Sequence, residues 1–67
     1  MKNHNHDLVH QLSETLDSIW RFDSYLKTAE GCESCTALWQ KLKNDYQQLE
    51  RLLVAEIKKH IDEGRFD

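Results

Sequence analysis

No proline occurs anywhere in the 67 residues, and Gly31 is the only glycine before Gly64. Proline breaks a helix by removing a backbone donor and clashing with the preceding turn, and glycine weakens one through its backbone freedom. The chain therefore has two long stretches, one on each side of Gly31, with nothing in them to interrupt a helix. Apolar residues in the first fall at Leu8, Val9, Leu12, Leu16, Ile19, Trp20, Phe22 and Leu26, the three-and-four spacing of one helical side. The second repeats the spacing with Leu38, Trp39, Leu42, Tyr46, Leu49, Leu52, Leu53, Ile57 and Ile61. The pattern predicts an all-α fold in a single domain: a helix over about 6–30, a loop over 31–34 and a helix over about 35–63. Asn5 is the expected N-cap of the first helix, and Ser34 or Thr36 that of the second. Gly31 and Gly64 suit the left-handed position that follows a helix C-terminus.

So short a loop forces the two helices antiparallel. That arrangement brings Asp23 level with Leu42 and Tyr46, and Glu56 level with Val9 and His10. The apolar set of the second helix spreads over an arc of roughly 180°, wider than the seam one antiparallel neighbour covers. A chain this small also buries too little apolar surface to be stable without a metal, a disulfide or a partner chain. Both arguments predict that the hairpin pairs with a second copy into a four-helix bundle. The expected core and dimer interface comprise Leu12, Leu16, Ile19, Trp20, Trp39, Leu42, Tyr46, Leu49, Leu53 and Ile57.

Twelve acidic against nine basic residues give a net charge of −3, and the basic ones are scattered, which argues against a surface built to hold nucleic-acid phosphates. Lys58-Lys59-His60 is too short a run for such a patch and reads as charge favoured at a helix C-terminus. MKNHNHDLVH lacks the apolar segment of a signal peptide, and no apolar run approaches the length of a membrane span. The expectation is a cytoplasmic protein with reduced thiols, binding neither nucleic acid nor membrane.

The segments RFDSYLKTAE and LWQKLKNDYQQLERLL resemble one helical hairpin of the ferritin-like superfamily, closest to the rubrerythrins. The first resembles the aromatic-then-AE ending of that family's first bundle helix, and the second its LFxxLAxxExxHxxxLL helix. The resemblance implies a four-helix bundle. It also implies an E-x-x-H iron-ligand pair at positions that here read Tyr46-Gln47-Gln48-Leu49, and a first-helix carboxylate near Leu16 to Ser18, where only Asp17 stands. Tyrosine and leucine replace neither a bridging glutamate nor an imidazole. The expectation is a related fold without ferroxidase or peroxidase activity, hence not an enzyme.

Two clusters remain as chemical candidates. Cys32 and Cys35, the only cysteines, form a C-x-x-C pair that supplies two of the four ligands a structural zinc site needs. The histidines lie about 30 Å away at the other end of a hairpin rising about 1.5 Å per residue, so zinc here would need a second chain. A redox role favours Cys35, in the first turn of the second helix, where the dipole stabilises a thiolate. The third reading is two incidental loop thiols. At the open end, His6 and His10, like Glu56 and His60, are four residues apart, so each pair shares a helical side and together they are candidate ligands for a divalent metal. Asp23, amid the apolar arc, requires a partner such as the Tyr46 hydroxyl, Lys41 or Lys43. The sequence thus reads as a self-associating module with a structural or protein-interaction role. The alternative is a metal-binding or redox accessory built on Cys32 and Cys35, tied to iron or oxidative-stress handling.

Overall fold

The computed structural model describes residues 3–66, and among them there are two helices and no strand: α1 (Asn3–Thr28) and α2 (Glu33–Asp62). Bonds between distant residues make the pair an antiparallel hairpin. The Thr36 hydroxyl donates to the Ala29 carbonyl beside the loop (3.3 Å), Lys43 Nζ meets Asp23 Oδ1 (2.6 Å), and Asn5 meets His60 at the open end (2.7 Å).

The expected bounds shift toward the N-terminus in both helices. Asn5 is not an N-cap; α1 begins two residues earlier, and the Asn5 side chain is spent on the opposite helix instead. Neither Ser34 nor Thr36 caps α2. Cys32 does, in an extended conformation (φ −116°, ψ 100°) that turns its sulfur onto the free Cys35 N–H. The connecting residues are therefore 29–32 rather than 31–34. Gly31 lies there at φ +92°, a left-handed conformation that costs a residue with a Cβ, and the Cys32 N–H closes the turn on the Ala29 carbonyl (2.8 Å). At the far end Gly64 (φ +70°) ends α2. Its N–H reaches the Ile61 carbonyl (3.0 Å) and the Arg65 N–H the His60 carbonyl (2.7 Å), the paired bonds of a Schellman motif.

Positions 8, 15, 22 and 29 of the first segment and 39, 46, 53 and 60 of the second recur every seven residues and are all buried or half-buried. This period keeps one stripe of each helix facing its neighbour along the hairpin. Near the loop the stripe is aromatic. The Phe22 ring sits 5.9 Å from Trp39, roughly parallel to it, and 5.1 Å from Tyr46, edge to face, with Tyr25 beside Trp39 at 4.8 Å. Toward the open end it becomes polar, with Thr15, Asn5 and His60 buried. Thr15 resolves its burial locally by donating to the Gln11 carbonyl one turn back (2.8 Å).

Within one chain this core is thin. Phe22 and Ala29 are its only buried apolar residues among those described. Of the expected core, Leu12, Ile19, Trp39, Leu42, Tyr46, Leu53 and Ile57 are half-buried, whereas Leu16 and Leu49 are exposed and Trp20 is 76% exposed. Trp20 is two residues from Phe22, which faces the neighbouring helix, so it points away. Asp23 lies at the margin of the arc rather than inside it, and of its candidate partners Lys43 takes it. Because the Asp23 side chain remains 53% exposed, the ion pair is screened by water. Asp23→Ala should lower the unfolding free energy by no more than about 1 kcal/mol in a urea titration.

Candidate functional site

Three features could carry function: the thiols at the loop, the polar cluster at the open end, and leucines left uncovered between them. At the loop the local geometry follows from capping. An N-cap side chain lies over the amide three residues on, so a cysteine at the cap and another three residues later are brought together by the start of the helix itself. Cys32 Sγ accepts from the Cys35 N–H (3.4 Å) and stands 3.5 Å from the Ser34 hydroxyl. Both thiols are free. A hydrogen bond from the Cys35 side chain, joined by ones from the Ser34 hydroxyl and the Cys35 N–H, lowers the Cys32 pKa from 9.0 to about 7. The Cys35 thiol is pushed up, first by that same hydrogen bond to Cys32 and then by the repulsion of a Cys32 thiolate. The dipole argument that favours Cys35 is therefore reversed: hydrogen bonds converging on the cap outweigh position in the first turn. Beside the pair opens a cleft of about 500 Å³ whose walls include Thr28, Tyr25 and Trp39.

At the open end Asn5, fully buried, joins three parts of the chain. Its amide nitrogen donates to the Arg65 carbonyl (2.8 Å), which leaves its oxygen facing His60 Nδ1 at 2.7 Å. An amide oxygen only accepts, so Nδ1 carries the proton. The second ring nitrogen, Nε2, faces the Glu56 carboxylate at 2.9 Å. His60 thus fastens α1, α2 and the segment after α2 at one point.

The histidine spacing suggests a metal centre at this end, and the four side chains fall there into two separate pairs. Glu56 and His60 bond to each other, while His6 and His10 are exposed, their rings 6.0 Å apart, and lie near Asp7 and Glu14 respectively. The structure does not bring these two pairs together. No group of three or more His, Cys, Asp or Glu side chains among the described residues is arranged to hold a metal ion. Sequence reasoning missed Asn5 as a tertiary contact, since an asparagine near a helix start carries the same signal whether it caps or packs. It missed Cys32 as the cap because cysteine is not among the favoured cap residues.

Between these ends Leu38, Leu42, Leu49 and Leu52 recur along one side of α2, and Leu38, Leu49 and Leu52 are exposed, Leu52 by 59%. Val9 and Leu16 are exposed on α1, as are Val54 and Ile61 on α2. No helix among the described residues is long and apolar enough to cross a membrane. The chain matches no protein-family model, no curated protein and no solved structure.

Proposed function

We propose that this chain is a non-enzymatic helical module that works by associating with a second copy of itself, the two hairpins forming a four-helix bundle around the exposed leucines of α2. One observation carries this reading: the single hairpin leaves large apolar side chains in water, Leu38, Leu49 and Leu52 on α2 and Val9 and Leu16 on α1. Its radius of gyration is 15.2 Å, against about 11 Å for a compact domain of this length. Its accessible surface is 5016 Å², whereas a folded monomer of 8.0 kDa exposes about 4450 Å². The surplus reflects an elongated shape, 49 × 15 × 12 Å, that leaves the sides of α2 open to a neighbour. A second copy suits the surface because the seam within one hairpin already occupies the adjoining side of α2, and a bundle covers both sides at once. Two hairpins also supply the four antiparallel helices that the ferritin-like resemblance implies. We propose for the assembled bundle a protein-interaction role in the cytoplasm.

The test is the mass of the full chain in solution by light scattering at micromolar concentration. The expected value is twice the 8.0 kDa of one chain, falling to one chain for Leu49→Asp, which puts a charge where the leucines would meet. A well-folded wild-type monomer under those conditions overturns the proposal.

A further inference from the structure

We propose that Cys32 and Cys35 form a thiol–disulfide exchange site for low-molecular-weight disulfides, with Cys32 as the attacking sulfur and Cys35 as the resolving one. This goes beyond the self-association reading and does not rest on it, since both cysteines lie at the loop rather than in the leucine stripe.

The argument begins with placement. Cys32 occupies the cap and Cys35 the first turn, so the backbone of α2 holds them adjacent without any contribution from the rest of the fold. Two groups converge on the Cys32 sulfur: the Cys35 N–H at 3.4 Å and the Ser34 hydroxyl at 3.5 Å. Each strengthens with negative charge on the sulfur. The two cysteines are consequently unequal, one disposed to be a thiolate and the other to keep its proton. That inequality is what a two-step exchange requires, because the first sulfur must attack while the second waits. Access is provided by the adjoining cleft, where Tyr25 and Trp39 offer an apolar wall to the half of the disulfide that is not reacting.

In the first step the Cys32 thiolate attacks one sulfur of the disulfide RSSR, forming a Cys32–SR mixed disulfide and expelling RS⁻. That thiolate, or water, takes the proton from Cys35. The Cys35 thiolate then attacks the Cys32 sulfur, closing the Cys32–Cys35 disulfide and expelling a second RS⁻. Two protein thiols are oxidised by two electrons, and RSSR is reduced to two equivalents of RSH.

The magnitude of the advantage can be set. A pKa near 7 in place of 9.0 raises the thiolate fraction at neutral pH about 50-fold, and the accompanying loss of intrinsic nucleophilicity takes back roughly 6- to 10-fold. Cys32 should therefore outreact an ordinary thiol by about 5-fold.

The experiment uses the full, reduced chain and dipyridyl disulfide, following released thiol by absorbance and protein mass by spectrometry. Wild type should release two thiols per chain and end two hydrogens lighter, with a rate that levels off above pH 7. Cys35→Ser should release one thiol and stop at the mixed disulfide on Cys32. Cys32→Ser should react about 5-fold more slowly at pH 7, with its rate still rising toward pH 9. Serine is itself a favoured cap, so Cys32→Ser should retain wild-type helicity by circular dichroism. Should that variant unfold, the stoichiometry of wild type and the trapped adduct on Cys35→Ser decide the matter alone. Mixed disulfides accumulating on both cysteines of wild type would overturn the proposal, as would a Cys35→Ser variant that forms no adduct faster than folded Cys32→Ser.

Discussion

Phe22→Ala should remove much of the stability of the fold and lower its thermal midpoint by more than about 12 °C. Phe22 is 7% exposed and is the larger of the two buried apolar residues among those described. Its ring is the common neighbour of Tyr25, Trp39 and Tyr46, so removing it takes contacts from all three. A buried phenylalanine cut to alanine costs about 3–5 kcal/mol. A domain of this length has a total stability of roughly 3–10 kcal/mol, so the loss consumes much or all of it. The measurement is thermal unfolding by circular dichroism at one fixed protein concentration, because association would make the midpoint concentration-dependent. For a domain of this size each kcal/mol moves the midpoint by about 4–8 °C, so the expected fall exceeds 12 °C. A fall of only a few degrees would show that the aromatic cluster does not hold the two helices together. Phe22→Leu, which keeps much of the volume, should recover a substantial part of the loss.

The open end should be the second sensitive point, and there the loss comes from polar rather than apolar burial. His60→Ala removes the imidazole that Asn5 Oδ1 and Glu56 both face. Asn5 is fully buried, so water does not readily replace the missing bond, and the expected cost is about 1–3 kcal/mol. Asn5→Ala breaks the same bond from the other side and also releases the Arg65 carbonyl. The decisive measurement is the double-mutant cycle in urea. Since each single change destroys one shared contact, the double variant should be less damaging than the sum of the singles, by about 0.5–3 kcal/mol. Strict additivity would mean that the two residues stabilise the fold independently.

These two positions also show what can be read from the sequence. The helices themselves were plain, because leucines at three-and-four spacing and the absence of proline admit no other regular structure. Gly31 was equally legible as the reversal, since a left-handed residue was needed there. What periodicity could not give was the centre of the seam. An arc of about 180° on α2 shows that two sides are apolar without saying which of them the neighbouring helix takes. Phe22 and Thr15 are a whole number of heptads apart and are both buried, although one is aromatic and the other a polar residue that satisfies itself one turn back. Hydrophobicity alone would have placed Trp20 ahead of Thr15. At the thiols, spacing identified the pair, while the unequal chemistry of its members depended on which of them served as the cap.

The polar contacts along the hairpin have one further consequence. Leucine meets leucine nearly as well after one helix slides past the other by a turn, about 5.4 Å. Hydrogen bonds do not tolerate that displacement. Thr36 to Ala29, Lys43 to Asp23 and His60 to Asn5 are distributed from the loop to the open end, so a slip of one turn breaks all three together. They act as graduations on a scale, each weak in itself, that agree at a single setting. A hairpin assembled from greasy side chains acquires in this way one alignment instead of several, and the surface it offers to any neighbour is correspondingly fixed.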